Sequence, residues 1–175
     1  FLDDQQNLRA RYKLLGQLAL GIFTAAVVYR PDKLTLPLIG LVEIGWFGSP
    51  LMVLWIVGVM NAINLVDGLD GLAGGLSLVT TLLLGTLGWW GGEFELVLFS
   101  LALAGAIFGF WLFNKPPATV FMGDAGSMLL GYLLAVFSVK VIAVTGNGSV
   151  SMVPVLLLGI PLVDTVFAFL RRYLR

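Results

Sequence analysis

The sequence predicts an all-α polytopic membrane protein with about six transmembrane helices in 175 residues. Three observations carry that expectation. The chain is 59% hydrophobic and only 11% charged, where a soluble domain has about a quarter of its residues charged. Its mean hydropathy is +1.00. Its apolar residues fall into six long segments without the period-two alternation of a membrane β-barrel, which leaves helices as the spanning form.

The segments are 14–29, 51–66, 73–90, 96–113, 128–145 and 153–170. A span needs roughly 17–25 residues. The first two are therefore expected to extend into their flanks, where Gln17, Asn61 and Asn64 would face protein or a wet cavity. Between them, Leu34-Thr-Leu-Pro-Leu-Ile and Leu41-Val-Glu-Ile flank Gly40 as a small outer-side hairpin, although Pro37 counts against a strand there. Gly71/Gly75 and Gly105/Gly109 have the four-residue spacing of closely packed helices. The series Gly68, Gly71, Gly74 lacks the opening G-x-G of a dinucleotide site and no strand–helix alternation surrounds it. Trp46, Trp89 and Trp90 are expected as interface anchors.

Alternating the path through the membrane brings the N-terminal stretch, the turn at 67–71, the stretch 114–127 and the C-terminus to one side. Five of the ten acidic residues, Asp3, Asp4, Asp67, Asp70 and Asp124, collect there. A carboxylate in the bilayer costs roughly 2.5–3.5 kcal/mol on insertion scales, so acids grouped at span ends imply a site that uses the charge. The same side holds Arg9, Arg11, Lys13, Lys115, Arg171, Arg172 and Arg175, against Arg30 and Lys33 opposite, which makes it cytoplasmic.

Composition narrows the chemistry. Without cysteine or histidine, disulfides, thiolate sites and the usual neutral-pH base are excluded, so a metal must be bound through oxygen. A net charge of zero without a basic run argues against nucleic acid as a partner.

Three constellations remain. In the first, Asn61, Asn64, Asp67 and Asp70 recur every third residue, with Gly68 and Gly71 allowing the backbone to leave the helix. A polar seam between helices is the competing reading, but nearby carboxylates repel unless a cation is present. The second, Asn114-Lys-Pro-Pro-Ala-Thr-Val-Phe-Met-Gly-Asp124-Ala-Gly-Ser127, is a loop entering a helix N-terminus, suited to phosphate and a hard cation. Capping of that helix by Asp124 or Ser127 is the plainer alternative. The third is Asp3-Asp4 followed by Arg9, Arg11 and Lys13, an ordinary juxtamembrane face unless it joins the other two.

With these residues the chain resembles the polyprenyl-phosphate N-acetylhexosamine-1-phosphate transferases, bacterial glycosyltransferase family 4. The resemblance lies in Asp3-Asp4 with Lys13, in Asn61-x-x-Asn64-x-x-Asp67-Gly-x-Asp70-Gly-Leu, and in Asn114 with Phe121-Met-Gly-Asp124-x-Gly-Ser127, in the family's order. It implies transfer of N-acetylglucosamine-1-phosphate from UDP-N-acetylglucosamine to a membrane undecaprenyl phosphate, with release of UMP. That is the first membrane step of a cell-envelope polysaccharide such as lipopolysaccharide or teichoic acid. The related phospho-N-acetylmuramoyl-pentapeptide transfer of peptidoglycan synthesis is the alternative donor chemistry, although Val66 and Ala125 look closer to the N-acetylglucosamine branch.

The resemblance further implies Mg²⁺, or Mn²⁺, at Asp124 and Asp67. It implies catalytic roles for Asp3, Asp4, Asp67 and Asp70, and substrate binding by Lys13, Asn61, Asn64, Asn114, Gly123 and Ser127. It also implies a bacterial plasma-membrane location, with a homodimer among the expected assemblies. Residues 1–175 are then a single membrane domain, the central part of a longer transferase whose N-terminal helices and histidine-containing loop lie outside it. A phosphate monoester is mostly dianionic at neutral pH, so Asp3 and Asp4 are expected mainly to orient the acceptor. A route through an aspartyl-phosphate stays open. A transporter or channel is the rival of another class and would place acids at span centres.

Overall fold

The computed structural model describes residues 10–27, 31–36 and 40–145, together with 158, 159 and 163. Five helices and one hairpin make up the described part: α1 (Ala10–Val27), β1 (Lys33–Leu36), β2 (Gly40–Glu43), a 3₁₀ turn at Gly45–Phe47, α2 (Gly48–Val66), α3 (Leu72–Trp90), α4 (Phe94–Asn114) and α5 (Gly123–Thr145). Four stretches are long and apolar enough to cross a membrane: Gly45–Val66, Leu72–Trp90, Phe94–Asn114 and Gly123–Ala143. Arg11, Lys13 and Gln17 lower the average hydropathy of α1, which is not among the four. The expected sixth span, 153–170, lies almost entirely outside the described residues.

The helices start earlier than the apolar runs because their first turns are polar or small. α1 reaches back to Ala10 and α5 to Gly123, five residues before the apolar segment, so that Asp124 stands in the first turn of α5. α2 takes up Ser49 and Pro50 in its first turn, where the missing proline N–H has no helical partner to lose. α4 ends at Asn114 because Lys115 precedes Pro116 and is forced to an extended conformation, φ −60° and ψ 150°.

The expected hairpin is present, with Gly40 opening its second strand rather than separating the two. β1 and β2 pair antiparallel with Lys33 opposite Glu43 and Leu36 opposite Gly40. β1 stops before Pro37, which could not donate to a ladder. The Lys33–Glu43 ion pair, at 3.4 Å, is solvent-exposed and contributes little.

Around the core, α2 packs on α5, α5 on α3 and α3 on α4, with α1 against α2. Met52, Ile56, Val59 and Ile63 of α2 share one buried core with Leu130 and Leu134 of α5. The outward faces carry exposed Leu, Ile, Phe and Val side chains, such as Ile22, Leu54, Val79 and Phe99. This distribution suits a lipid solvent, in which apolar side chains gain nothing by turning inward. α1 shows it most clearly: its buried residues are Gln17, Gly21, Thr24 and Ala25.

Between helices, Trp55 Nε1 donates to Ser138 Oγ at 2.9 Å and Thr24 Oγ1 lies 2.9 Å from Tyr132 Oη. Gly131 lets α5 approach α2: a Cβ there would stand 2.7 Å from Met60 Cα. Of the two glycine pairs expected to pack, Gly71 and Gly75 do, against Trp111. Gly105 and Gly109 do not. Among the described residues nothing lies within 4 Å of a Cβ built at either, and both sit on an exposed face of α4.

Candidate functional site

The ends of the helices bring the polar sequence stretches together. α1 begins, α2 ends, α3 begins, α4 ends and α5 begins at one end of the bundle, as the side-chain contacts among Lys13, Asn64, Gly71, Asn114 and Asp124 show. Trp46, Trp89 and Trp90 are exposed at the opposite helix ends, where anchoring residues were expected.

Asp124 is the hub. Its Oδ2 pairs with the Lys13 ammonium, and its Oδ1 accepts from Asn64 Nδ2 at 3.2 Å. Asn64 also donates to Ser127 Oγ at 2.8 Å, and Ser127 in turn donates to the carbonyls of Gly123 and Asp124 at 3.1 and 3.2 Å. Ser127 therefore does not cap α5. It relays Asn64 to the first turn of that helix. Gly123 opens α5 with φ +68°, a conformation that favours glycine and turns the chain sharply into the helix.

Asp67 follows the last residue of α2, its N–H bonded to the Ile63 carbonyl at 3.1 Å. Partial burial, and then the neighbouring charge of Asp124, push its carboxyl above the usual range. Two carboxylates thus share a field that a cation would relieve. Among the described residues no three acidic side chains cluster, and of those residues Asp67 and Asp124 are the carboxylates that share this field. That donor set fits Mg²⁺, which commonly takes one or two carboxylates and completes its shell with water and substrate phosphates.

Asp70 is placed differently. Its Oδ2 accepts the Ala118 backbone N–H at 3.1 Å and so ties the turn after α2 to the loop after α4. Asn114, expected to bind substrate, is 3% exposed and spends both ends of its amide inside the protein. Its Oδ1 accepts the Gly71 N–H at 3.1 Å and its Nδ2 donates to the Val120 carbonyl at 2.9 Å. Asn61 is likewise turned inward, onto Gln17 and the Val57 carbonyl. The bond to Gln17 crosses from α2 to α1, as a polar seam between helices would. Asp3 and Asp4 lie outside the described residues.

Two contributors were not identified from the sequence as part of the site. Trp111 Nε1 donates to the Gly71 carbonyl at 3.1 Å. With Asn114 one turn later, α4 therefore holds both the N–H and the C=O of Gly71, which adopts φ +74°. The available signal was the spacing Trp111-x-x-Asn114 at a helix end. The other is Gln17, whose only signal was an amide inside an apolar segment.

Membrane-length helices that converge on a carboxylate–ammonium–amide cluster at one end define a multi-pass membrane protein with a charged site at the ends of its spans. Residues 1–142 match glycosyl transferase family 4, and the chain belongs to that family. It is 40% identical over 174 residues to a probable undecaprenyl-phosphate N-acetylglucosaminyl 1-phosphate transferase of Bacillus subtilis, covering 99% of this chain and 49% of the relative. It is 38% identical over 153 residues to a phospho-N-acetylmuramoyl-pentapeptide-transferase of Listeria welshimeri, covering 81% and 47%. The protein of the same name from Latilactobacillus sakei gives 38% over 142 residues, covering 79% and 44%. The chain thus spans about half the length of the curated relatives it matches.

Proposed function

We propose that the protein containing this chain transfers N-acetylglucosamine-1-phosphate from UDP-N-acetylglucosamine to undecaprenyl phosphate on the cytoplasmic side of a bacterial plasma membrane, releasing UMP and initiating a cell-envelope polysaccharide. One observation carries the reading: Lys13, Asn64, Asp67 and Asp124, from three helices far apart in sequence, meet at one end of a membrane bundle. A cluster of both charge signs suits a reaction between phosphates. The carboxylates take a cation, and the ammonium and amide N–H groups meet phosphate oxygens. Membership of the family and the names of the relatives support the same chemistry.

Asp124 and Asp67 would hold Mg²⁺, which when bound neutralises diphosphate charge and eases departure of UMP. The remaining work belongs to the chain. Lys13 sits on Asp124 and can move to an acceptor or donor phosphate when a metal takes that carboxylate. Asn64 keeps Asp124 in one orientation by donating to its Oδ1, while its bond to Ser127 fixes Asn64 against α5. Asp70 ties the turn after α2 to the loop after α4. Asp3 and Asp4, ten and nine residues before Lys13, orient the acceptor phosphate.

The match at 40% over nearly the whole chain favours the N-acetylglucosamine donor over the muramoyl-pentapeptide donor. A transporter is disfavoured, since the acids sharing a site lie at helix ends. The test is UMP release by the full-length protein with undecaprenyl phosphate, Mg²⁺ and a panel of UDP-N-acetyl-sugars. Release from UDP-N-acetylglucosamine, abolished by EDTA and by Asp124→Asn, is expected. Release only from the muramoyl-pentapeptide donor would reassign the substrate, and no release from any donor would end the transferase reading.

A further inference from the structure

Beneath the charged layer lies a second layer built from the same three helices, one turn deeper in the bundle. Lys13 is followed four residues on by Gln17, Asn64 is preceded three residues back by Asn61, and Asp124 is followed four residues on by Met128. These spacings keep each pair on one helix face. The deeper residues meet as the upper ones do. Asn61 Nδ2 donates to Gln17 Oε1 at 2.8 Å, Gln17 Nε2 donates back to Asn61 Oδ1 at 3.3 Å, and Gln17 Nε2 lies 3.6 Å from Met128 Sδ. The Val57 carbonyl takes a further bond from Asn61 at 2.7 Å. Gln17 is 3% exposed, and with these contacts the two amides have no N–H left for a ligand.

We propose that Gln17 is a positioning residue whose reciprocal amide pair with Asn61 sets the register and rotation of α1 against α2, and so holds the Lys13 ammonium over Asp124. What this layer serves rests on the transferase reading; that it sets the register does not. Sliding α1 by one residue turns its face by about 100° and shifts it about 1.5 Å, enough to remove Lys13 from Asp124. Apolar contacts between α1 and α2 tolerate such a slide because they are non-directional, whereas two opposed amide bonds close in only one register. Gln17 and Thr24 are the polar side chains on the buried face of α1. Of these, Gln17 lies next to Lys13, and Thr24 bonds its own helix at the Leu20 carbonyl as well as Tyr132.

The experiment has two arms, both in the full-length protein. In the first, cysteines replace Lys13 and Asp124 in a background with no other cysteine, and cross-linking by a short bis-methanethiosulfonate is timed. Gln17→Leu is expected to slow it about 10-fold, and the exchange Gln17→Asn with Asn61→Gln, which conserves the combined length of the pair, to restore it. An unchanged rate overturns the proposal whatever the enzyme does. In the second arm UMP release is compared for Lys13→Ala, Gln17→Leu and the double variant. Gln17→Leu is expected to lower kcat about 10-fold with KM for the nucleotide sugar within about twofold, and the double variant to be no slower than Lys13→Ala alone. Losses that add overturn action through Lys13. Where Gln17→Leu does not accumulate, Gln17→Glu, which keeps length but loses the donors, takes its place in both arms. If the wild type releases no UMP from any donor, the transferase reading falls and cross-linking alone decides the register.

Discussion

At Asp67 burial and the neighbouring charge of Asp124 act on one side chain. Its raised carboxyl means that the ionised form costs the folded state stability at neutral pH. The cost fades as pH falls through the raised pKa and is absent below about the unfolded value of 3.8, where both states are protonated. In metal-free detergent, Asp67→Asn is therefore expected to raise the melting temperature of the full-length protein at pH 7 by on the order of 1–3 °C. The gain should disappear near pH 4. Added Mg²⁺ should stabilise the wild type by mass action and leave Asp67→Asn unmoved. Differential scanning fluorimetry across pH with and without Mg²⁺ reads all three. A wild type that Mg²⁺ does not stabilise would remove Asp67 from the metal site. The carboxylates themselves were legible in the sequence, because acids at the ends of apolar segments stand out. Which amides serve them was not. Asn61 and Asn64 look equivalent in an every-third-residue pattern, but only Asn64 reaches Asp124, while Asn61 closes on Gln17 one turn deeper.

At the scale of elements, the last turn of α4 clamps the turn between α2 and α3. Asn114→Ala would strand the buried Gly71 N–H, at a cost of about 1–3 kcal/mol, and would also remove the bond to the part-buried Val120 carbonyl. Hydrogen exchange at Gly71 is expected to quicken, and the fall in UMP release should exceed that of Trp111→Phe, which loses a single bond to the Gly71 carbonyl. Helix packing gives a second contrast. Gly131→Ala would place a Cβ 2.7 Å from Met60 Cα, backbone that cannot swing aside, whereas Gly105→Ala meets nothing within 4 Å among the described residues. Overpacking costs about 1–3 kcal/mol, so Gly131→Ala should lower the melting temperature by several degrees while Gly105→Ala changes it little. Helix existence and the Pro116 stop were readable from apolar runs and proline. Glycine spacing was a weaker guide, since a small face is also compatible with lipid contact, and Gly105/Gly109 show this case.

For the whole molecule, the alternating path places the site at one end and the hairpin and exposed tryptophans at the other. A single cysteine at Ala118 should react with a membrane-impermeant maleimide only from the cytoplasmic face, and one at Gly92 only from the outer face. Labelling of both from one side would break the topology on which the site depends. The sequence by itself determined the solvent of this protein, the number and order of its apolar segments and the side on which its acids gather. Those follow from composition and chain path, because burying backbone and charge in lipid leaves few alternatives. Tertiary structure alone decided which polar groups touch. Lys13, Asn64 and Asp124 are separated by dozens of residues, and their meeting depends on helix rotation and register. A hydrophobic pattern that faces lipid on one side and protein on the other leaves both undetermined, because lipid and core are equally apolar.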